Sequence, residues 1–424
     1  MTDFKNEVTW IALANALGPC SSRLKPLLAR FGTPEGIFNA TKEELLAAVP
    51  DMGKGALAAL SADKQYKTAV GIAKRCYRDG IRILTPNSEG YPSCLFAIAQ
   101  PPAVLYCKGK LPRLSGAPII GVVGKREIDA YGGATAYKLS FELAAAGAVI
   151  VSGLALGVDG IAAAAALDAG GSTVAVLGSG IDVAYPYPHK TLYSEVAEFG
   201  TVLSEYPPGA PPNGWHFPQR NRIISALSEA VLVVQADEKS GAMITARHAL
   251  VQGKSIFAVP GNIDNPLSAG CNLLLRGGAN IVLCAEDILS HFRFLYGKSI
   301  GATLPPEAMQ YTALTEEKLR AHRIPTDFLS PEGKEKKKRT RAEKKEGKKA
   351  REEEPRSVVA EPPVSLEALD PAQREIAALL PDGPFTVDAL VAKGVAPRDA
   401  VAAMTMLEIY GILTSRPGGI YEKK

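Results

Sequence analysis

Pro118-Ile-Ile-Gly-Val-Val-Gly-Lys-Arg126 is an apolar run that ends in a glycine and two cations. Its centre, Ile119–Val123, is apolar at every position, which suits a strand in a sheet covered on both faces. The same pattern recurs downstream. Apolar runs at Ala148–Val151, Thr173–Leu177, Thr201–Leu203, Ala230–Val234, Ser255–Val259 and Ile281–Leu283 predict further strands. Helical spacing lies between and after them, at Ala134–Ala146, Ile161–Ala169, Lys190–Phe199, Asn221–Leu227, Ala242–Gln252 and Cys271–Arg276. Alternation of this kind implies right-handed βαβ crossovers. The expected fold is α/β, an extended Rossmann-type doubly wound parallel sheet over residues 79–296. Residues 79–117, with Pro86, Tyr91-Pro92 and Pro101-Pro102, are expected to lie against its edge.

The flanks differ in character. In residues 1–78, helical apolar spacing at Trp10–Leu17, Leu24–Phe31, Lys42–Val49 and Tyr66–Arg78 predicts an all-helical domain. Its turns at Gly18-Pro-Cys20 and Met52-Gly-Lys-Gly-Ala56 resemble the hairpins of helix-hairpin-helix (SAM-like) domains, whose glycine amides grip a phosphate. Only the second keeps both glycines, Gly53 and Gly55, and a helical packing module is the better reading of the segment. Residues 297–364 are rich in proline and charge, and are expected to be a linker with a disordered Lys-rich tract. That tract could touch nucleic acid or serve as a solvated tether. Residues 365–424 predict three short helices, Pro371–Leu380, Val387–Ala392 and Pro397–Tyr410, then a hairpin turning at Pro417-Gly-Gly419. That is a winged-helix domain. Arg398 is the only basic residue of its third helix, and Glu408 opposes it. Such a helix suits packing or a protein partner better than a DNA groove.

Composition narrows the class of function. There is no apolar run long enough to span a membrane and no basic-then-apolar N-terminus, so no membrane association and a cytoplasmic location are expected. The six cysteines are scattered without a Cys-x-x-Cys pair, which argues against disulfides and zinc. No metal or other cofactor is expected. The net charge of +4 is concentrated: eleven Lys/Arg against three Glu between Lys334 and Arg351 give +8, leaving −4 elsewhere. An anion site in the folded parts must therefore be a local pocket.

The loops after the strands supply one. Gly124-Lys125-Arg126, Ser152-Gly153 to Gly157, Gly178-Ser-Gly180 and Lys239-Ser240-Gly241-Ala-Met243 are rich in glycine, hydroxyls and charge. In an open α/β sheet, ligands gather beyond the carboxyl ends of the strands, where helix N-termini favour anions. Phe217-Pro-Gln-Arg-Asn-Arg222 adds Arg220, Asn221 and Arg222 beside an aromatic ring, and Trp215 precedes them. Rings beside cations suit single-stranded nucleic acid, because any base can stack while the backbone follows charge. Loop anchoring is the simpler alternative for both rings. Nucleotide motifs are incomplete. Val183 breaks the Gly-x-Gly-x-x-Gly at Gly178, and His248 stands where a phosphate-binding loop ending in Gly253-Lys-Ser255 needs its first glycine. Asp159, Asp182 and Glu205 are the acids nearest the loops, and as caps, turn formers or arginine partners they need no catalytic role.

Together, several motifs resemble the DNA processing protein A (DprA/Smf) family from about Ile81 to Asp287. They are Ile120-Gly-Val-Val-Gly-Lys-Arg126 with Tyr131-Gly132, Ser152-Gly-Leu-Ala-Leu-Gly-Val-Asp159, Val174-Ala-Val-Leu-Gly-Ser-Gly180 with Tyr185-Pro186, and Ser204-Glu-Tyr-Pro-Pro208. Phe217-Pro-Gln-Arg-Asn-Arg-Ile-Ile224, Ser240-Gly-Ala-Met-Ile-Thr-Ala-Arg247 and Ala258-Val-Pro-Gly261 follow in order. The resemblance implies a non-catalytic, competence-related protein of natural transformation and DNA recombination. Such a protein binds and protects single-stranded DNA, loads the RecA recombinase onto it, and forms a homodimer through the Rossmann domain. It implies a DNA pocket lined by Arg126, Phe217, Arg220, Asn221, Arg222 and the loop at Ser240-Gly241; with the strand-end loops, the expected site also takes in Gly124, Lys125, Ser152, Gly153 and Thr245. The chain departs from the family pattern at Ala163, Gln235 and Lys125, where histidine, glutamate and a small hydroxyl residue are usual. The last two departures predict a more basic pocket.

The competing reading is an enzyme, a Rossmann-like phosphoribohydrolase of the Lonely Guy type that cleaves nucleoside monophosphates. Such enzymes need a glutamate beside a Pro-Gly-Gly-x-Gly-Thr loop, and Gln235 to Ile244 has neither. A purely structural scaffold is the third option.

Overall fold

The computed structural model describes residues 2–60, 63–112, 116–297, 299–301 and 313–329. At the C-terminal end it describes 376–381, 383–395, 400, 404, 407, 413–416 and 420–423. Nine strands form one sheet: β1 (Arg82–Leu84), β2 (Leu105–Gly109), β3 (Ile119–Val123), β4 (Val149–Ser152), β5 (Ser172–Leu177), β6 (Thr201–Ser204), β7 (Ala230–Val233), β8 (Ser255–Ala258) and β9 (Asn280–Ile281). Their order is β1-β2-β6-β5-β4-β3-β7-β8-β9. From β6 to β9 every pairing is parallel, as the apolar runs predict. The prolines of residues 79–117 conceal a closer association than an edge extension, because β1 and β2 are full members of the sheet. β2 pairs antiparallel with β6, and β1 with β2.

Side chains alternate across the central strands and feed two cores. Ile120, Val122, Ile150, Ala175 and Leu232 point to one, while Ile119, Val123, Val149, Val151, Val174 and Val231 point to the other. The first core is covered by α8 (Ala130–Ala145), α9 (Val158–Asp168), α10 (Lys190–Phe199) and α14 (Glu286–Tyr296). The second is covered by α11 (His216–Leu227), α12 (Gly241–Val251), α13 (Ala269–Arg276) and the short α7 (Ser93–Ala97). Helices on both faces of a largely parallel sheet make a doubly wound α/β domain.

The chain builds outward from β3 through β4, β5 and β6, then returns to place β7 on the other side of β3. The sheet therefore switches direction between β3 and β7, and a crevice opens beyond their carboxyl ends. The helix expected to begin at Asn221 begins instead at His216. Pro218 falls in its first turn, where the missing N–H would have had no intrahelical partner.

Among the described residues, six helices precede the sheet: α1 (Thr2–Leu17), α2 (Leu24–Phe31), α3 (Pro34–Asn39), α4 (Lys42–Ala48), α5 (Lys54–Leu60) and α6 (Asp63–Arg78). Trp10, Leu13, Leu27 and Ala73 join the same buried cluster as Tyr106 and Val202, so helical part and sheet share one continuous core. Within the stretch expected to be a linker, residues 313–329 dock onto α8, α9 and α10. Thr315 caps helix α15 (Glu316–Ala321), Leu319 and Ile324 are buried, and Lys318 lies 4.7 Å from the ring centre of Tyr137. His322 is held between Glu195 (2.5 Å) and Asp168 (3.0 Å). Burial works against its charge, but the two carboxylates keep its pKa up at about 9.

At the C-terminal end, strands β10 (Leu413–Arg416) and β11 (Ile420–Lys423) form the expected antiparallel hairpin. A separate small core gathers Leu380, Phe385, Leu390, Met404, Leu407 and Leu413. Val387–Ala392 is observed as helix over Asp388–Val391. The hairpin turn at 417–419, the Lys-rich tract, Arg398 and Glu408 lie outside the described residues. Among the described residues, no helix is long and apolar enough to cross a membrane.

Candidate nucleic-acid interface

An open cleft of about 790 Å³ occupies the switch point. One wall is the loop after β3, with Gly124, Lys125, Arg126 and Glu127; the opposite wall is the loop after β7, with Asp237, Lys239 and Ser240. The start of α11 contributes Phe217, Arg220 and Asn221, and the start of α12 contributes Gly241, Ala242 and Thr245. Nine of the twelve residues expected at the site therefore line one cleft. Ser152, Gly153 and Arg222 do not.

Two of the three exceptions lie directly behind it. Gly153 donates its N–H to Asp159 (2.9 Å) and accepts a bond from the Arg220 guanidinium (2.9 Å). A Cβ on Gly153 would sit 2.6 Å from Cζ of Arg220, so only glycine lets that side chain pass. The Ser152 hydroxyl is buried and donates to the carbonyl of Asp159 (3.1 Å). Arg220 also donates to the carbonyl of Val176 and, through Nε, to Asn221 (3.2 Å). It is 3 % exposed; burial lowers its pKa to about 10, with Asp159 opposing the shift, so it stays charged at neutral pH. Burial likewise pushes the Asp159 carboxyl above its usual range against the pull of Arg220. Arg220 and Asp159 are thus a mutually compensating pair in the cleft floor.

Arg222 is placed elsewhere. Two residues along a helix turn the side chain by about 200°, and Arg222 faces away from the cleft. It pairs with Glu205 at 2.7 Å, with the two side chains 2 % and 7 % exposed. The role expected for Arg222 in the DNA site has no geometric basis here, because its charge is dry and spent. Lys125 forms an ion pair with Asp237 across the switch point, so its expected addition of charge to the pocket is cancelled. Gln235 is buried and bonds with Asp129 (2.9 Å) instead of entering the cleft.

The mouth is different. Arg126 is exposed, forms no ion pair among the described residues, and lays its guanidinium 5.2 Å from the ring centre of Phe217. Tyr185 packs against the same ring, with centroids 5.4 Å apart and planes tilted by 38°. Phe217 rests on Gly178, where a Cβ would be 2.7 Å from the ring. Tyr185 is 41 % exposed and Trp215 is 55 % exposed. Reading single residues passed over Tyr185. The signal was present, since Tyr185-Pro186 stands at the end of the loop after β5. Lys239, read as part of an anion loop but not among the twelve site residues, is also a lining cation.

The α12 N-terminus completes the cleft. The first backbone N–H groups of a helix have no intrahelical partner, and those of Gly241 and Ala242 open here. Ser240 makes no side-chain cap bond, and its buried hydroxyl is unpartnered. Asn221 fixes this end by donating to the Gly241 carbonyl (3.2 Å). The lining carries four cations (Lys125, Arg126, Arg220, Lys239) against three carboxylates (Glu127, Asp159, Asp237). With the internal pairs subtracted, Arg126, Lys239 and a helix terminus remain for an incoming anion, against the single carboxylate of Glu127.

A Rossmann-type sheet whose switch-point crevice offers a helix N-terminus, unspent cations and exposed rings has the chemistry to receive an anion. Comparison with known proteins narrows the reading. The family model described as DNA recombination-mediator protein A matches residues 82–293, and the DprA winged helix domain model matches residues 360–419. The chain is 38 % identical to the DNA processing protein DprA of Bacillus subtilis over 286 residues, covering 68 % of this chain and 92 % of that one. It is 31 % identical to the protein Smf of Synechocystis, covering 98 % of both. The X-ray structure of DprA from Streptococcus pneumoniae superposes with a TM-score of 0.58 at 30 % identity, covering 68 % of this chain and 98 % of that one. The chain belongs to the DNA processing protein A (DprA/Smf) family.

Proposed function

We propose that this protein binds single-stranded DNA in the switch-point cleft, without catalysis. The observation that carries the reading is the stack at the mouth, Tyr185–Phe217–Arg126, beside the open N-terminus of α12. Rings offer any base a face, and the cation and helix terminus hold the backbone. A duplex keeps its bases stacked on one another and cannot use the rings. The expectation is preference for a single strand with little sequence selectivity. Labelled oligo-dT titrated against a blunt duplex across a salt series tests it, and equal affinity for both would sink the reading.

The non-catalytic part rests on how the acids are held. Asp159 is buried beside Arg220, Asp237 is paired with Lys125, and Gln235 is bonded to Asp129. Incubation with nucleoside monophosphates should release no free base; release would favour the phosphoribohydrolase alternative.

Family membership further supports the downstream roles: protection of incoming strands in the cytoplasm and loading of the RecA recombinase in natural transformation or recombination. For self-association, the β9 edge is the best-suited surface of the sheet. Ile281, Leu283, Phe294 and Leu295 on and after β9 are 54 %, 72 %, 98 % and 68 % exposed. Exposed apolar side chains on the edge strand β9 and on α14, the helix that follows it, favour a partner. A homodimer closed through this edge should become a monomer in sedimentation when Leu283 and Phe294 are changed to charged residues.

A further inference from the structure

We propose that Arg75, on α6 of the helical N-terminal part, is a positioning residue for the cleft. It acts by pinning the two loops that present Tyr185 and Phe217. The inference deepens the single-strand reading and rests on it.

The two rings come from different loops. Tyr185 follows β5 by way of Gly178–Ile181 and Asp182, while Phe217 follows β6 by way of Pro207, Pro208 and Gly209. Asp182 joins these loops. One carboxylate oxygen accepts the N–H of Gly209 (2.7 Å), and the other accepts the Arg75 guanidinium (2.5 Å). Arg75 then reaches the carbonyl of Pro208 (3.5 Å). Gly209 has a φ of +85°, and a Cβ there would lie 2.9 Å from Nη1 of Arg75. The loop is thus shaped to admit the guanidinium. One side chain of the helical part touches both loops at once, three residues upstream of Tyr185 and nine upstream of Phe217.

Arg75 does not line the cleft. Its side chain is 42 % exposed and that of Asp182 is 19 % exposed, so the pair adds little to stability. What it supplies is order. A ring pair held at 5.4 Å before DNA arrives need not be ordered on binding. Ordering costs about 0.5–1.5 kcal/mol per side chain, or about two- to tenfold in affinity. The helical part would thereby tune the cleft without touching the strand.

The test is an oligo-dT titration of the full chain, with wild type, Arg75→Ala, Asp182→Asn, Phe217→Ala and the double variant Arg75→Ala/Phe217→Ala, over a salt series. Arg75→Ala should weaken binding about two- to tenfold with an unchanged salt slope, and should cost nothing further once Phe217 is gone. Asp182→Asn should reproduce the loss, and it provides the same test if Arg75→Ala fails to fold by circular dichroism. Three outcomes overturn the proposal: wild-type affinity in both variants, an equal loss in the Phe217→Ala background, or a flattened slope that makes Arg75 a phosphate contact. A wild-type chain that binds no oligonucleotide instead removes the single-strand reading on which the proposal rests.

Discussion

Helix α11 has a wet side and a dry side, and they put the same residue type to opposite uses. On the wet side, Phe217 and Asn221 open onto the cleft, and Arg126 reaches across to cover the ring. On the dry side, Arg222 and Glu205 are sealed together between the sheet and the helical part, where the Glu205 carboxylate also accepts the N–H of Cys20 (3.4 Å). Arg220 stands between the two, reaching the cleft but spending its charge on Asp159 and on carbonyls. Clustered cations are therefore a poor measure of how much charge a site offers. What counts is how much charge the fold leaves uncompensated, which here is chiefly Arg126, Lys239 and the α12 terminus.

The largest effect expected from this contrast is on stability. Arg222→Ala strands the Glu205 carboxylate in a dry site and should cost about 3–5 kcal/mol, whereas Glu205 and Arg222 replaced together by apolar residues should cost far less. The shift of the urea unfolding midpoint measures both. If Arg222→Ala instead unfolds like wild type and loses salt dependence in DNA binding, the assignment of the two sides is reversed. On the wet side, Phe217→Ala should weaken single-strand binding by about 1–3 kcal/mol and leave the salt slope alone. Fluorescence titration reads this once circular dichroism shows the variant folded. Arg126→Ala should flatten the slope by about 0.7 log units per decade of salt with a smaller loss of affinity, and an unchanged slope would remove Arg126 from the phosphate path.

The smallest effect lies far from the cleft, at the docked segment 313–329. His322 has a folded pKa raised to about 9, and the groups facing it are Asp168 and Glu195, with Tyr137 bonded to Asp168 and Lys318 over the Tyr137 ring. A raised pKa means the proton favours the folded state. The contribution is complete below the unfolded value and is lost as pH climbs through about 9. Hydrogen exchange of residues 313–329 should therefore quicken between pH 7 and pH 10 beyond the intrinsic base-catalysed rate. His322→Gln should abolish that excess.

Much of the sheet was legible because parallel strands buried on both faces must be apolar throughout. Ile119–Val123 and Lys190–Phe199 emerge with their predicted bounds. The strands β1 and β2 were hidden by flanking prolines, which signal irregular backbone even where a short strand joins a sheet. The sorting of Arg220 from Arg222 was latent in the sequence. Two positions of a helix face opposite ways, but Arg220 fell outside the helix expected over Asn221–Leu227. The docked segment was masked by its charged neighbourhood, although Thr315 with Leu319 and Ile324 carries a cap and an apolar face. The ion pair between Lys125 and Asp237 was not legible at all. It joins loops that only the crossover of the sheet brings together.

The chain has two tryptophans, and the fold has put them in contrasting places. Trp10 is 1 % exposed in the core shared by helices and sheet, whereas Trp215 is 55 % exposed at the N-cap of α11, next in sequence to Gly214 of the cleft lining. Their emission should separate into a blue component that iodide cannot reach and a red component that it quenches. Unfolding would shift the first, while an oligonucleotide in the cleft would dim or shield the second, so the molecule holds built-in optical reporters of its integrity and its occupancy.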